Sequence, residues 1–258
     1  MVYRCHNMGM QDSINIKRTH IEVWSIYPDK FAEEFVLKAC EKTLDLTEFA
    51  RYRRFKFQQD RHLFACAHLL LRHTLSRYHN TGPSEWQFEY NQHGRPKLIK
   101  HELSGKLQFN LSHTKGKAVV AVGNTQLLGV DVESLARSTN PKLAKRFFTH
   151  NEKNDLFGLP NGKNRQQRFL ELWTLKEAYI KANGFGLALS LREFSIRGSG
   201  RHIYIQFERP WKDTTKNWHF CLSKCEQGFV VAVASKFLLH PPSVTFHEFQ
   251  LTQVANFN

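Results

Sequence analysis

The segment Leu127–Glu133, with the sequence LLGVDVE, carries two carboxylates at a spacing that suits metal chemistry. Its alternation of apolar and polar residues predicts a β-strand, on which Asp131 and Glu133 share one face with Gly129. Two carboxylates that leave a strand side by side repel each other unless a cation or a proton relieves the repulsion. The alternative is that the pair belongs to a solvated strand face.

A second segment, LELWTLKEAYIKA, predicts a helix on which Glu177 and Lys181 share a face with Trp173. Lys176 precedes Glu177 and points in a different direction. Three carboxylates with lysines, and no cysteine or histidine inside the two motifs, are typical of a site for a hard cation such as Mg²⁺ and a phosphate-bearing substrate. The alternative for Glu177 and Lys181 alone is an ordinary helix salt bridge.

The elements between these segments must position both motifs. The sequence predicts a basic helix over residues 142–148 and a long helix from about residue 164 to Asn183, which ends at Gly184. Thr149 followed by Glu152 is a capping-box pattern, which would make Glu152 a helix cap. The alternative is that Glu152 is an active-site carboxylate. The remaining predicted elements are strands over 20–26, 86–90, 117–123, 191–196, 202–207, 218–223 and 229–234, and helices over 28–43, 48–57 and 59–79.

Residues 51–80 form a strongly basic segment whose only acid is Asp60. The predicted helix over residues 59–79 has an apolar stripe that would face the core. The basic residues are therefore either a solvated face or an electropositive rim that attracts a phosphate group. They are Arg51, Arg53, Arg54, Lys56, Arg61, Arg72 and Arg77.

Two further segments could contact a ligand. The segment 91–96 predicts a turn in which Gly94 allows a positive φ angle, and Ser112 lies beside His113. A serine beside a histidine suggests a hydrolase, but neighbours on a strand point to opposite faces and the sequence has no G-x-S-x-G motif. We therefore reject that function and expect His113 to contact a phosphate.

Composition restricts the class of protein. The chain has 258 residues, 41% of them hydrophobic, and a formal net charge of +14. The length suits one large domain or two small ones, and the charge indicates a polyanionic partner: nucleic acid, a phosphorylated cofactor or an acidic protein. No apolar run approaches the roughly 18 residues of a membrane-spanning helix, and the N-terminal residues do not resemble a secretion signal. Five cysteines without metal-ligand spacing fit a reducing cytoplasm.

GVDVE followed about 40 residues later by WTLKEAYIKA resembles the 4′-phosphopantetheinyl transferases of the surfactin-synthetase-activating type. The resemblance extends from about Arg51 to about Phe194. Further matches to the family are Gly94-Arg95-Pro96, the N-x-S-H segment that ends at His113, and R-F-F at 146–148 with the following Glu152.

The resemblance implies an α+β fold that is a pseudo-dimer of two similar α+β subdomains in one chain. The first, which binds the nucleotide of coenzyme A, is expected over residues 1–124, with a loose lead-in over 1–20. The second, with the Mg²⁺ and catalytic residues, is expected over 125–238, and a tail over 239–258. We expect a cytoplasmic monomer with no nucleic-acid or membrane partner.

Members of that family transfer the 4′-phosphopantetheine arm of coenzyme A to a serine of a carrier protein and release 3′,5′-ADP. The resemblance implies that Asp131, Glu133 and Glu177 hold Mg²⁺, or Mn²⁺ in its place. It also implies that Lys181 stabilises the leaving phosphate, and that Glu177 or Glu152 takes the serine proton. The contacts to coenzyme A are assigned to Arg53, Arg54, Arg61, Gly94, Arg95, Pro96, Ser112, His113, Lys176 and Lys181.

Two other functions fit part of these observations. A metal-dependent nuclease would explain the charge and the carboxylates, but its usual acid-x-Lys strand motif is absent from 131–133. A nucleic-acid-binding module needs exposed aromatic residues among basic ones on a sheet, whereas the aromatic residues here have core spacing. The carriers that the family serves belong to fatty acid, polyketide, non-ribosomal peptide and siderophore synthesis, and the sequence favours none of them.

Overall fold

The protein is described by a computed structural model that covers residues 20–92, 94–99, 101–139, 141–184, 186, 189–208, 216–237 and 240–250. The chain forms two compact units: the described residues of Met1–Asn124 with Ser243–Asn258, and those of Thr125–Pro242. The predicted lead-in, apart from His20, and His93 of the predicted turn lie outside the described residues. The mixed α+β class is confirmed. Within the ranges covered, every helix is too short or too polar to cross a membrane.

The first unit packs helices against a four-stranded sheet. Its elements are β1 (His20–Ile26), α1 (Glu33–Thr43), α2 (Leu46–Arg54), α3 (Gln58–Leu75), β2 (Phe88–Tyr90), β3 (Pro96–Leu98), β4 (Gln108–Thr114), β5 (Lys117–Gly123) and β11 (Ser243–Glu248). The strand order is β11-β1-β5-β4, with β1 parallel to β11 and the other pairs antiparallel. The helix α3 is buried from Phe64 to Leu75 and packs against β5, β1 and β4.

The second unit has the same general construction. Its elements are β6 (Leu127–Ser134), α4 (Pro141–Phe147), α5 (His150–Gly158), α6 (Lys163–Asn183), β7 (Phe194–Ser199), β8 (His202–Phe207), β9 (Trp218–Cys225) and β10 (Phe229–Lys236). The antiparallel sheet has the order β6-β10-β9, and β7 pairs with β8. The long helix α6 lies against β6 and β10. It ends, as predicted, at Gly184, whose φ of 72° is the left-handed conformation that favours glycine.

Capping residues explain where two helices begin. At α2, Asp45 accepts a hydrogen bond from the Glu48 amide at 2.8 Å, and Glu48 accepts one from the Asp45 amide at 3.2 Å. Thr47, which precedes the predicted helix over 48–57, lies inside α2, because this reciprocal pair makes Asp45 the cap and satisfies two backbone donors. At α5, Thr149 and Glu152 form the capping box that the sequence predicts.

The segment from residue 239, expected to be a tail, contains the strand β11. It pairs in parallel with β1, from His20 opposite Ser243 to Ser25 opposite Glu248. The Phe249 amide extends this pairing with a hydrogen bond to Ser25 O at 2.8 Å. A strand separated from its partner by more than 200 residues leaves little local signal, because only the edge of β1 makes an extended conformation favourable there.

Candidate active site

Asp131 and Glu133 are buried on β6, which excludes the alternative that the pair belongs to a solvated strand face. Their exposed fractions are 6% and 8%. The strand is covered on both faces, because Val130 and Val132 are buried as well. Carboxylates removed from water in this way need a nearby cation, a proton or hydrogen bonds.

The helix α6 supplies a cation to this pair. Lys181 Nζ donates a hydrogen bond to Asp131 Oδ1 at 2.6 Å, while 30% of the lysine side chain stays exposed. Glu133 forms an ion pair with Arg137, which follows it in the chain. Each of the two strand carboxylates therefore has a basic partner, and one of these partners comes from the other motif.

The electrostatics place Glu177 in the same cluster. Burial raises the pKa of Glu177, the charges of Asp131 and Glu133 raise it further, and Lys181 lowers it. Burial likewise raises the pKa of Glu133; the hydrogen bond from Arg137 lowers it and the charge of Asp131 raises it. The carboxylates of the two sequence motifs therefore interact with one another through their charges.

The type of these side chains fits a hard cation. All three provide carboxylate oxygens, and their mutual repulsion would be relieved by a divalent ion. Their present arrangement is balanced by Lys181 and Arg137, and across the described ranges no three His, Cys, Asp or Glu side chains are already spaced to hold a metal. Binding of an ion would thus require these carboxylates to turn towards it.

Lys176 and Glu152 form a separate, fully buried ion pair. Lys176 Nζ donates to Glu152 Oε1 at 2.7 Å, to Glu152 Oε2 at 2.8 Å and to Phe194 O at 2.5 Å. Neither side chain has any exposed surface. Glu152 also accepts from the amides of Thr149 at 3.0 Å and Ile196 at 2.8 Å. The pair thus joins α6, the start of α5 and β7.

This placement contradicts the predicted contact between Lys176 and a phosphate. The ammonium group has three acceptors from the protein and is out of reach of a ligand. Burial lowers the pKa of Lys176 to about 8, although the charge of Glu152 acts in the opposite direction. Glu152 is equally enclosed, which favours its interpretation as a cap over that as an active-site base.

The basic segment of the first unit divides into exposed and internal residues. Arg53 and Arg54 are exposed on α2, and the guanidinium of Arg53 lies 4.8 Å from the centre of the Phe49 ring. Arg61 is half-buried and donates to Phe55 O at 3.0 Å, so it holds the connection between α2 and α3. Arg72 is completely buried. The predicted electropositive rim is thus limited to part of the segment.

The turn at Gly94 and the strand β4 carry the other residues that the resemblance assigns to coenzyme A. Gly94 has a φ of 76°, the positive value expected for the turn. Arg95 is half-buried, and burial lowers its pKa, while Pro96 is buried and begins β3. On β4, Ser112 is buried and His113 is exposed. They lie on opposite faces, as the sequence predicts, so only His113 is available to solvent.

The sequence reasoning missed a buried polar network around Glu48. This carboxylate accepts from His68 Nδ1 at 2.7 Å and from Arg72 Nε at 2.7 Å. Burial opposes its ionisation, but the hydrogen bonds and charges of His68 and Arg72 hold the pKa of Glu48 at about 2. The D-x-x-E pattern that begins at Asp45 was a usable signal for the cap, whereas nothing local indicates that Arg72 turns inward.

Comparison with known proteins bears on both units. Residues 127–234 match the family model described as the 4′-phosphopantetheinyl transferase superfamily. Residues 31–126 match the family model described as 4′-phosphopantetheinyl transferase, N-terminal. The two matches together span most of the described residues and include both carboxylate motifs.

Individual relatives carry the same description. The chain is 35% identical to the 4′-phosphopantetheinyl transferase HetI of Nostoc sp., over 71% of this chain and 76% of the relative. It is 30% identical to the 4′-phosphopantetheinyl transferase Sfp of Bacillus subtilis, over 89% of this chain and 99% of the relative. A solved holo-[acyl-carrier-protein] synthase of Thermotoga maritima matches 44% of this chain and 64% of its own, with 23% identity and a TM-score of 0.36.

Proposed function

Because the chain belongs to the 4′-phosphopantetheinyl transferase superfamily, we propose that it transfers the phosphopantetheine arm of coenzyme A to a serine of a carrier protein. The serine oxygen attacks the phosphorus that bears the arm, the bond within the pyrophosphate breaks, and 3′,5′-ADP leaves with its electron pair. The serine proton must pass to a base. The carboxylate cluster of the second unit is the proposed centre of this reaction.

Asp131, Glu133 and Glu177 are the proposed ligands of Mg²⁺, with Mn²⁺ as the alternative. A bound divalent ion would neutralise the charge of the pyrophosphate. The support for this assignment is that the chain keeps three carboxylates together, where burial and, in addition, their mutual repulsion raise the pKa values of Glu133 and Glu177.

Lys181 is the proposed cation for the leaving phosphate. It pairs with Asp131, and 30% of its side chain remains exposed to solvent and thus to a ligand. Negative charge grows on the departing phosphate only as the bond breaks, and a cation there stabilises the transition state more than the ground state.

Glu177 is the proposed base for the serine proton. Of the two candidates, Glu177 is half-buried, whereas the Glu152 side chain is fully buried and occupied with Lys176 and two backbone amides. A base must lie within hydrogen-bond reach of the proton that it takes. Lys176 and Glu152 are therefore proposed as structural residues.

The first unit is the proposed binding region for the nucleotide of coenzyme A. Arg53, Arg54 and His113 present exposed basic or polar side chains, and Arg95 and the Gly94 turn are partly accessible. The net charge of +14 favours a phosphorylated cofactor and an acidic carrier. The four cysteines among the described residues are free thiols, which agrees with the proposed cytoplasmic location.

The single observation that carries this proposal is the contact between Lys181 and Asp131, which joins the two family motifs in one cluster. Its test is the mass of an acyl carrier protein incubated with coenzyme A, Mg²⁺ and this protein. We expect the carrier to gain one phosphopantetheine group, and chelation of Mg²⁺ to stop the reaction. A panel of fatty acid, polyketide and peptidyl carriers would identify the preferred class.

Asp131→Ala should abolish loading without unfolding the protein, and Glu226→Ala, which alters an exposed carboxylate in the β9–β10 turn, should load normally. Loading by Asp131→Ala above about a tenth of the wild-type rate, which corresponds to about 1.4 kcal/mol of barrier, would overturn the metal assignment. An unmodified carrier across the whole panel would overturn the proposed function.

A further inference from the structure

We propose that Gly129 is a positioning residue: its missing side chain sets the distance between the strand that carries Asp131 and the helix that carries Lys181. This inference rests on the proposed function only in regarding those side chains as parts of an active site. A Cβ atom on Gly129 would lie 2.1 Å from Ala178 O, 2.4 Å from Ala182 N and 3.0 Å from Ala182 Cα.

All three of these atoms belong to the backbone of α6. A side chain could turn away from an added methyl group, but a helix backbone can only move as a unit. The distances to Ala178 O and Ala182 N are below 3.0 Å, the shortest contact that Cβ atoms make in proteins. A methyl group at residue 129 would therefore push this part of α6 outwards by about 1 Å, a displacement large enough to damage a catalytic site.

The close approach is made by neighbours in sequence of the cluster residues. Along β6, Gly129 precedes Asp131 by two residues and so points to the same face. Along α6, Ala178 directly follows Glu177, and Ala182 directly follows Lys181. The backbone contact thus fixes the separation of β6 and α6 close to Asp131 and Lys181, the two residues that form the hydrogen bond.

A glycine inside a buried strand is unfavourable in itself, because it loses more conformational freedom on folding and offers no side chain to the core. Its neighbours Leu128 and Val130 are fully buried apolar residues of the usual kind. The close backbone approach explains the exception. It also explains how Lys181 can reach Asp131 at 2.6 Å.

The first test compares Gly129→Ala with Gly158→Ala in the 258-residue chain. Gly158 is a suitable control because it ends α5 in the same unit, and an added Cβ there would have no atom within 4 Å. Mn²⁺ affinity is measured by electron paramagnetic resonance without coenzyme A or carrier. We expect affinity to fall at least about tenfold in Gly129→Ala and to be unchanged in Gly158→Ala.

The second test needs no metal. A double-mutant cycle of Asp131→Asn and Lys181→Met in unfolding experiments measures the coupling of this pair. We expect coupling in the wild-type background and in Gly158→Ala, and its loss in Gly129→Ala. A merely structural glycine would lower the melting temperature but leave both the coupling and the Mn²⁺ affinity of the folded protein intact.

The outcomes separate this inference from the proposed function. If the wild type binds no Mn²⁺, the metal assignment fails, while the coupling still tests Gly129. If Gly129→Ala does not fold, both measurements are made on Ala182→Val instead. This variant enlarges the residue of α6 that faces Gly129 and is 1% exposed. The inference would be overturned if the coupling between Asp131 and Lys181 is unchanged in the folded Gly129→Ala protein, or in Ala182→Val where that variant replaces it.

Discussion

Two lysines of α6 form ion pairs of opposite character. Lys176 and its partner Glu152 have no exposed side-chain surface, and the ammonium group is surrounded by protein acceptors. Lys181 lies five positions further along the same helix, pairs with Asp131 and keeps 30% of its side chain exposed. The first lysine can serve only the protein, whereas the second can also meet a ligand.

The difference shows that a basic residue in a functional motif need not act on the substrate. A buried ion pair contributes little net stability compared with apolar residues, but loss of one partner leaves an uncompensated charge. Loss of Lys176 would therefore also affect the segments that Glu152 holds. Glu152 accepts hydrogen bonds from backbone amides at the start of α5 and in β7. Lys181 compensates a carboxylate cluster that otherwise repels itself.

The largest expected effect is on stability. Lys176→Ala should lower the free energy of unfolding by about 3–5 kcal/mol, because the charge of Glu152 would remain buried without its partner. Urea denaturation followed by circular dichroism measures this change. The double variant Lys176→Met with Glu152→Gln should recover at least half of the loss, since it removes both charges and keeps an acceptor for the backbone amides.

The same variants can break the comparison. If Lys176→Ala stays as stable as the wild type but no longer loads a carrier, Lys176 acts at the active site after all. If the folded double variant loads the carrier at close to the wild-type rate, the buried pair is structural.

The next largest effect is on the rate of the chemical step. Lys181→Ala should lower kcat and kcat/KM together by about 10–100-fold, or about 1.4–2.7 kcal/mol, because the interaction is made in the transition state. Single-turnover loading measures the rate, and calorimetric titration should show near-normal affinity for coenzyme A.

Lys224→Ala is the matched control for Lys181→Ala. Lys224 is also half-exposed and pairs with a buried carboxylate of α6, Glu171, at 2.8 Å. Its loss should change stability by about 0–1 kcal/mol and leave loading unchanged. If Lys181→Ala loads the carrier at the wild-type single-turnover rate, Lys181 is a structural residue, and the two lysines do not differ in role.

A smaller effect should appear in the pH dependence of stability. The pKa of Glu177 is raised by burial and by Asp131 and Glu133, so the folded protein holds this proton to higher pH than the unfolded chain. Its contribution to stability is present at low pH and is lost as the pH rises through the folded pKa. Glu177→Gln should therefore stabilise the metal-free protein at pH 7 by roughly 0.5–2 kcal/mol.

Thermal unfolding between pH 4 and pH 8 checks this sign. The advantage of Glu177→Gln should shrink towards pH 4, where the wild-type carboxyl is protonated as well, and Mg²⁺ should stabilise the wild type more than the variant. Glu226→Gln, in the exposed β9–β10 turn, should show neither trend. A variant that is less stable than the wild type at pH 7 would contradict the mutual repulsion.

The sequence was sufficient to predict the parts of the site that depend on local spacing. The period of a strand puts Asp131 and Glu133 on one face, and that of a helix puts Glu177 and Lys181 on another. The pattern of Thr149 and Glu152 predicted the capping box. These features need only a few neighbouring residues, and family resemblance then supplied the function.

The direction of Lys176 could not be predicted in the same way. Helical periodicity turns it away from Glu177, but both a solvated and an inward position satisfy that condition. The choice depends on Glu152, 24 residues away in sequence, and on the carbonyl of Phe194. The strand β11 was missed for a related reason, since its partner β1 lies at the opposite end of the chain.

The smallest expected effect concerns cations that are more exposed than either lysine. Arg53 and Arg54 lie on the surface of α2, where water and salt screen their charges. Replacement of both by glutamate should raise the KM for coenzyme A by roughly two- to five-fold, the range of an exposed charge contact, with little change in kcat. The rise should be smaller for a cofactor without the 3′-phosphate, because the proposed partner of the arginines is then already missing.

Arg201→Glu, on the β7–β8 turn of the other unit, is the control for the change in net charge. Equal increases with both cofactors would assign the arginines to another partner, such as the acidic carrier. An increase that disappears at high salt would agree with contacts made through solvent-exposed charge.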